Sequence, residues 1–520
     1  MSASTPRQPK APRTPKAPRE PKSPRTPKAR RPMPLGVRII GGTILAAGVA
    51  TVVVAGTLAP WPSIPHTPVS ILTEPAAAAA SATCTGPLLA AGRNALDAAE
   101  SAVAAEATAV GEGGQTLIPG ITGGEFAVFT GPAGGGAAGA QTSSIVSADL
   151  TGFAASICPV PSFQSWLAVG STTTGAADLI VLTNPGDVAA TVDLTVFGSA
   201  DPVLTPGGTG IILAPRSQQV VPLAGLVIGE RDPMVRVSAT GAPIVAAMQT
   251  AFTQTLEPVG IDVVAGAASA SPVQIIPAVV VPEASATGAA PIEVRVLAPD
   301  TNAIATITAT RVGSGTPSAT STLTLVAGTT IKASLTDLSP GTYVVRVSSA
   351  PAPVTAPSDA AADATPPAPT ATPSSAASTV PIDPTAPVQI VASAMTATAA
   401  PRDIGWFVAA PAVASETPVV TGPGATTTLV VAAGDEDATI VITEEGGGAP
   451  AERRVPAGGS VDIGLPAGLL GPGRARRSSG AGLRRPGSRP PHLPVTPGWA
   501  SAHPPLPCHE CTPQLCTRDR

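Results

Sequence analysis

Residues 190–198 read ATVDLTVFG, and the pattern returns as ATITATRVG at 305–313 and as ATIVITEEG at 438–446. A turn-forming segment precedes each copy, and each copy ends on a glycine eight residues after its opening alanine. Runs of Val, Ile, Leu and Thr between such turns are typical of short β-strands. Strands that recur in modules of about 100 residues indicate antiparallel β-sandwiches, with barrels as the alternative.

Further blocks extend the repeat. They are an eleven-residue block at 213–223, 325–335 and 455–465, a Val-Arg-Val-Ser strand at 235–238 and 345–348, and a closing strand at 242–245 and 386–388. The third copy has no Val-Arg-Val-Ser or closing strand after Leu465. This predicts an incomplete third module whose exposed strand edges are prone to mispairing.

The predicted fold is therefore mainly β: an N-terminal transmembrane helix, tandem antiparallel β-sandwich-like repeats, disordered tails and one disordered insertion. The predicted divisions are a stalk at 60–81, a Gly/Ala-rich segment at 82–158, β modules at 159–275, 276–400 and 401–468, and an aberrant tail at 469–520. The second module contains a Pro/Ala/Ser/Thr tract at 350–385 with too little apolar content to fold.

The Gly/Ala-rich segment is bracketed by Cys84 and Cys158. Outside the cytoplasm two such thiols are expected to form a disulfide, with two unpaired buried cysteines as the alternative. Within the segment, Leu88 to Val110 has a helix-like composition, whereas Pro119 to Thr130 is typical of one strand or a hairpin.

Ile39 to Ala59 is an apolar run of twenty-one residues without a charge. As a helix it would span roughly 31 Å, about the hydrocarbon thickness of a bilayer. The run exceeds the 7–15 residues usual for the core of a signal peptide, so an uncleaved anchor is favoured over a cleaved signal. Eleven Lys and Arg against one Glu in residues 1–38 place the N-terminus in the cytoplasm and the acidic bulk outside.

The basic tail at 1–38 carries an x-Pro-Lys/Arg repeat from Pro6 to Lys28. Proline at every third residue favours a disordered or polyproline II chain that stacks its cations in one column. The expected partner is an anionic membrane leaflet. Nucleic acid is not expected because the tail has no aromatic residue to stack on bases, and a cytoplasmic adaptor remains an alternative.

The tail at 469–520 concentrates potential metal ligands, namely Cys508, Cys511, Cys516, His503 and His509. A C-x-x-C pair is a usual zinc motif. The surrounding Pro/Arg/Ser sequence has no strand or helix signal to hold ligands, so an unstructured tail is preferred and no metal site is predicted.

Catalytic signatures are missing from the predicted folded part. No histidine occurs between Ala82 and Gly468, which excludes Ser-His and Cys-His pairs and histidine metal clusters there. The acidic group Asp435-Glu436-Asp437 is read as a solvated turn rather than a cation site. Trp166 and Trp406 are expected in the core, with an exposed binding platform as the alternative. No enzyme activity and no cofactor are predicted.

One resemblance is carried by the apolar anchor, by Cys84-Thr85-Gly86-Pro87-Leu88, by Cys158 and by Leu182-Thr183-Asn184-Pro185-Gly186. With these features the chain resembles an actinobacterial family of unknown function, whose members are single-pass envelope proteins with secreted β-rich repeats. The resemblance runs to about Leu465 and implies location and architecture but no reaction.

The sequence thus predicts a non-enzymatic protein with a single membrane span, a cytoplasmic N-terminus and an extracytoplasmic bulk in the cell envelope, where it has a structural, scaffolding or adhesion role. The alternative is a binding module for an envelope glycan or a partner protein. A hydrolase is the third and least favoured class.

Overall fold

The structure is a computed structural model. It describes residues 79–92, 101–133, 136–200, 202–204, 206–267, 269–283, 291–352, 387–399, 402–413, 417–420, 427–443, 451–465, 473–477 and 496–499. The chain divides into two compact units, Met1–Glu74 and Pro75–Arg520, and every described residue belongs to the second. The predicted basic tail, the membrane helix at 39–59, most of the stalk and nearly all of the insertion at 350–385 lie outside the described residues. Within the described ranges no helix has the length and apolar character needed to cross a bilayer.

The fold is mainly β, as predicted, and consists of several small antiparallel sheets. The N-terminal segment contains β1 (Ala79–Thr83), β2 (Leu88–Ala91), β3 (Ser101–Ala105), β4 (Thr108–Gly111), β5 (Gly114–Pro119), β6 (Glu125–Ala133), β7 (Gly139–Val146) and β8 (Thr151–Ile157). Three of these strands, β2, β3 and β4, lie within or overlap the range from Leu88 to Val110. The helix suggested by the composition of this range is therefore not formed in these strands. Alanine favours a helix, but a short helix is only marginally stable on its own, so pairing with neighbouring strands decides the structure here.

The first module contains β9 (Gln164–Leu167), β10 (Leu179–Asn184), β11 (Ala190–Phe197), β12 (Val203–Leu204), β13 (Ile211–Leu213), β14 (Ser217–Pro222), β15 (Met234–Thr240), β16 (Val245–Gln254) and β17 (Glu257–Ala265). The second contains β18 (Val273–Val281), β19 (Ile292–Leu297), β20 (Ala303–Arg311), β21 (Ala319–Leu325), β22 (Thr330–Leu335), β23 (Gly341–Pro351), β24 (Val391–Ala399) and β25 (Arg402–Val408). The third contains β26 (Thr417–Val419), β27 (Thr427–Ala432), β28 (Ala438–Thr443), β29 (Ala451–Val455), β30 (Ser460–Leu465), β31 (Gly473–Arg477) and β32 (Thr496–Trp499). Among the described residues, 3₁₀ turns lie at Ile121–Gly123, Pro206–Gly208 and Leu223–Gly225.

The sequence repeat is a repeat of sheet topology. One sheet has the strand order β12–β11–β15–β9 in the first module, with β13 also on β11, β21–β20–β23–β18 in the second and β29–β28–β31–β26 in the third. We call this the first sheet of each module. The second sheet has the orders β14–β10–β16–β17, β22–β19–β24–β25 and β30–β27–β32. Equivalent strands therefore occupy equivalent places in all three modules.

The two sheets of a module enclose one hydrophobic cluster. In the second module the cluster draws Ile292, Val294 and Val296 from the second sheet and Ala305 and Ile307 from the first. β20 alternates buried with half-buried residues along most of its length, which is the period of two expected for a strand with one face in a core. Burying an Ile or Val side chain contributes roughly 1.5–3 kcal/mol, so this face holds the two sheets together.

The Leu-Thr-Asn-Pro-Gly segment makes the turn between β10 and β11. The buried Asn184 side chain accepts the backbone N–H of Gly186 at 3.0 Å and donates to the carbonyls of Val188 at 2.8 Å and Ala214 at 3.1 Å. An Asx turn of this kind replaces backbone partners that the chain reversal removes. The motif is thus a structural device that joins the two sheets.

Two predicted divisions differ from the structure. The predicted boundary at 400/401 assigned Arg402–Val408 to the third module. In the structure β25 pairs with β24, so this strand belongs to the second module. In the tail at 469–520, predicted to be disordered, Gly473–Arg477 pairs with β28 and Thr496–Trp499 pairs with β27. These strands occupy the places of β15 and β16 in the first module, so the prediction that the third module lacks these strands is wrong. A strand joins a sheet mainly through backbone hydrogen bonds, which any residue except proline can donate. A strand at this position therefore does not require the Val-Arg-Val-Ser sequence.

Candidate functional site

The most specific features of the described residues lie where one module meets the next. Between the first and second modules, at what we call the second junction, seven apolar residues form a buried cluster of their own: Trp166, Ala168, Phe197, Met234, Ala267, Leu297 and Val391. Leu167 points into the core of the first module, so Trp166 next to it lies on the opposite, outer face of the first sheet. The outer faces of neighbouring modules are therefore covered by each other.

The third junction, between the second and third modules, reuses the same positions. Its cluster contains Ile275, Ala278, Val344, Val430 and Ala432. Trp166 is paired with Arg236 in the first module, and Ile275 is paired with Arg346 in the second. Because these two arginines belong to the repeated Val-Arg-Val-Ser strand, the tryptophan and the isoleucine hold equivalent places. Both arginines also lie at a junction.

The repeated arginines have different partners. Arg236 lies over the rings of Trp166 and Phe197, with its guanidinium carbon 5.9 Å and 5.6 Å from the two ring centroids. Arg346 pairs with Asp435 of the third module at 2.6 Å. The repeat thus places a cation beside the second and the third junctions. Arg236 lies over rings of its own module, whereas Arg346 binds a carboxylate of the following module.

Arg295 is the central charged residue of the second junction. It lies on β19 of the second module, yet its Nη1 donates to the carbonyl of Gly170 at 2.6 Å and its Nη2 is 3.0 Å from Asp232 Oδ1, both in the first module. Its side chain is 7 % exposed, and its guanidinium carbon is 4.5 Å from the ring centroid of Trp406. Burial lowers the pKa of Arg295, and the nearby Asp232 and Asp178 carboxylates oppose that shift.

Asp178 lies directly before β10 and binds the loop that Arg295 contacts. Its carboxylate accepts the backbone N–H groups of Ser171 and Ala251, the latter at 3.2 Å. Burial raises the pKa of Asp178 to about 7, although the two N–H groups and Arg295 act in the opposite direction. This carboxyl fixes the loop of the first module that receives the arginine.

A second pair of carboxyls connects three parts of the chain. Asp262 on β17 accepts the backbone N–H of Trp406 on β25 at 2.8 Å, and Asp403 on β25 accepts the backbone N–H of Phe153 on β8 at 3.0 Å. Burial raises the pKa of Asp262 to about 7, and the neighbouring Asp403 carboxylate adds to the shift. The N-terminal segment and the first two modules are thus joined by side chains that bind backbone groups across the boundaries.

Two glycines permit this close approach. A Cβ atom at Gly260 would lie 2.6 Å from the backbone nitrogen of Ile404, and one at Gly152 would lie 2.9 Å from that of Ile261. Gly152 also has a φ of +139°, which side-chain-bearing residues rarely adopt. β8, β17 and β25 can therefore pack with their backbones almost in contact.

The first junction, between the N-terminal segment and the first module, is held by an amide pair. The N–H of Leu89 donates to Gln249 Oε1 at 2.8 Å, and Gln249 Nε2 donates back to the carbonyl of Leu89 at 2.7 Å. Both residues are buried, and Leu89 packs against Leu179 and Val181. All three boundaries between described parts therefore contain buried contacts.

We expect the stability of the described unit to fall between pH 4 and pH 7. A carboxyl whose pKa rises on folding, as those of Asp178 and Asp262 do from the ordinary 3.8 to about 7, binds a proton in the folded state that the unfolded state releases. The contribution of each such carboxyl to the free energy of unfolding is therefore largest below pH 4. It declines by about 1.4 kcal/mol per pH unit between pH 4 and pH 7 and is lost above pH 7. Urea unfolding at pH 5 and pH 8 measures the decline, with the higher midpoint expected at pH 5.

A matched pair of variants tests the cause of this pH dependence. Asp262→Asn should reduce the difference between the two pH values, because one of the two titrating groups is gone. Asp187→Asn should leave it unchanged, because the exposed Asp187 pairs with Arg216 and its pKa is lowered. Equal slopes in the two variants would show that another group titrates.

The residues singled out from the sequence have the following places. Cys84 and Cys158 form a disulfide, and both are buried. Trp166 is buried at the second junction, and Trp406 is partly buried beneath Arg295, so neither is an open platform. Asp435 and Asp437 of the acidic turn pair with Arg346 and Arg454.

The cysteines and histidines of the tail lie outside the described residues. Within the described ranges no group of three or more His, Cys, Asp or Glu side chains is arranged to hold a metal ion.

Sequence reasoning missed Arg295 and Asp262. Arg295 stands in Ile-Glu-Val-Arg-Val-Leu, where the alternation marks it as a solvent-facing residue of a strand. Val181 is the residue of the first module that is equivalent to Arg295. It is apolar at this outward position, and it is buried at the first junction. An apolar residue on the outward face of a strand indicates that another part of the protein covers that face. Because Arg295 is equivalent to Val181 in the repeat, the same burial could have been predicted for Arg295.

Comparison with known families yields one match. Residues 122–466 match a family described as a family of unknown function, DUF5719. No curated protein and no solved structure matches the chain. The matched range covers the three predicted modules and part of the N-terminal segment.

Proposed function

Since the chain belongs to DUF5719, a family of unknown function, we propose its role from its architecture: a non-enzymatic, membrane-anchored scaffold of the cell envelope built from stacked β-sandwich modules. The observation that carries the proposal is the set of buried junctions. Modules joined by exposed linkers move independently, whereas buried contacts at every boundary make neighbouring modules one mechanical unit.

The placement outside the cell rests on the sequence. The uncharged run at 39–59, the eleven cations before it and the net negative charge after it support a single span with the N-terminus inside. A disulfide between Cys84 and Cys158 fits an oxidising compartment. The resemblance to actinobacterial envelope proteins supports the same location.

Protease added to intact protoplasts that express the full chain tests this topology. We expect cleavage of the acidic part, from residue 60 onward, while an epitope fused before Met1 stays protected until the membrane is dissolved. Complete protection of the acidic part in intact protoplasts would contradict the proposal. A cytoplasmic protein measured in the same samples controls for lysis.

A binding module for an envelope glycan or a partner protein is the second candidate. The observation that favours it is that several large apolar side chains are exposed on the first module, among them Phe163, Ile228 and Leu256. Retention of the detergent-solubilised chain on isolated cell wall separates the two candidates, because a spacer alone should not be retained.

A further inference from the structure

The first sheet of each module ends in an edge strand, and the three equivalent edges differ in their protection. An edge strand presents unpaired N–H and C=O groups to any chain that can lie beside it. In the first module the edge is broken into β12 and β13, with the 3₁₀ turn Pro206–Gly208 between them. In the third module the edge strand β29 has the sequence AERRV, and its Glu452, Arg453 and Arg454 are exposed. Breaks and charges are the usual means of blocking strand addition.

The edge strand of the second module has neither protection. β21 is seven residues long, has the sequence ATSTLTL, and contains no charge, proline or glycine. Its register against β20 is continuous from Ala303↔Leu325 to Ala309↔Ala319, without a bulge. Thr320, Thr322 and Thr324 are exposed, and its β-branched residues favour the extended conformation. Among the three equivalent edges, β21 is the one open to pairing.

We propose that β21 is a self-association site, at which the β21 strand of a second copy of this chain adds in antiparallel orientation. The proposal does not depend on membrane anchoring. Two observations favour a second copy over a foreign strand. The strand is uncharged, so two copies meet without repulsion, and an antiparallel pair of identical strands is an isologous contact that closes as a two-fold dimer. Three open edges would instead lead to continued growth.

The charges around β21 agree with a two-fold axis near Thr322. In β20, the next strand inward, the charged residue is Arg311 at its end, beyond the Ala309↔Ala319 pair. In an antiparallel dimer centred on Thr322, the two Arg311 side chains lie at opposite ends of the joined sheet. The four central strands would then carry charge only at their margins, and threonines would face threonines across the axis, a favourable cross-strand pair.

Sedimentation velocity of the purified full chain over a concentration series tests the proposal. Strand addition through seven residues buries little area, so we expect a weak, concentration-dependent dimer. Thr322→Lys should raise its dissociation constant at least tenfold, because it places two ammonium groups beside each other at the axis. The matched control is Ile212→Lys, on the broken edge of the first module, where Ile212 is 74 % exposed.

The outcomes are distinct. Loss of the dimer in Thr322→Lys, with Ile212→Lys unchanged and both variants unfolding at the wild-type urea midpoint, supports self-association through β21. A wild-type chain that stays monomeric throughout the series, or equal dimerisation of the wild type and Thr322→Lys, overturns it. If Thr322→Lys reduces only retention on isolated cell wall, the edge binds a foreign partner and the second-copy proposal is wrong.

Discussion

The Arg295→Ala variant is expected to lose about 3–5 kcal/mol of stability, because it removes one partner of a buried ion pair. The alanine leaves Asp232 and the carbonyl of Gly170 without the cation that they bind at 3.0 Å and 2.6 Å. It also opens space over the ring of Trp406. Unfolding in urea, followed by tryptophan fluorescence, measures the loss at pH 7.

Two further variants make the Arg295 result specific. Arg216→Ala removes an exposed ion pair, with Asp187 77 % exposed, and should leave the midpoint unchanged. In a double-mutant cycle, Asp232→Asn should cost less in the Arg295→Ala background than in the wild type, because its partner is already gone. Equal costs in the two backgrounds would show that Arg295 and Asp232 act independently and that the junction is not held by their pair.

The repeat at 190–198 was sufficient to predict strands and modules, because alternation and turns are local properties of a sequence. The junctions were not predictable in the same way. Whether the outer face of a strand meets water or another module depends on the neighbouring module, which no local window contains. Arg295 and Val181 illustrate this limit, since both occupy outward positions of a strand that a neighbouring part of the chain covers.

The tail shows a related limit. A change of composition after Leu465 correctly marks a different kind of sequence, but it does not determine whether strands form there. Gly473–Arg477 has the sequence GRARR and little β propensity, yet it pairs with both β26 and β28. Tertiary context overrides propensity when two strands offer unpaired backbone groups to the segment between them.

Asp262 could not be assigned from sequence for an electrostatic reason. A single Asp between Ile261 and Val263 looks like any outward residue of a strand, and its role depends on the N–H of Trp406, which lies 144 residues away. Its raised pKa arises from burial between β17 and β25, so it is a property of the packed modules. Inference from the sequence therefore reached the mainly β architecture and offered a prediction of location, whereas the residues that couple the modules required the structure.

Replacing both Cys84 and Cys158 by alanine is expected to destabilise the N-terminal segment by about 4 kcal/mol in the chain-entropy estimate for a loop of this length. The two residues are separated by 74 positions. Backbone hydrogen bonds from Thr83 N–H to the Pro159 carbonyl and from Cys158 N–H to the Gly139 carbonyl also stabilise this region.

Hydrogen exchange measures the effect of the double replacement at individual amides. The amide of Leu89, which donates to Gln249 across the first junction, should exchange faster. The amide of Val294, in the core of the second module, should exchange at its wild-type rate. Equal acceleration at both amides would mean that the disulfide stabilises the whole unit cooperatively, and no acceleration at Leu89 would mean that the junction holds the segment without it.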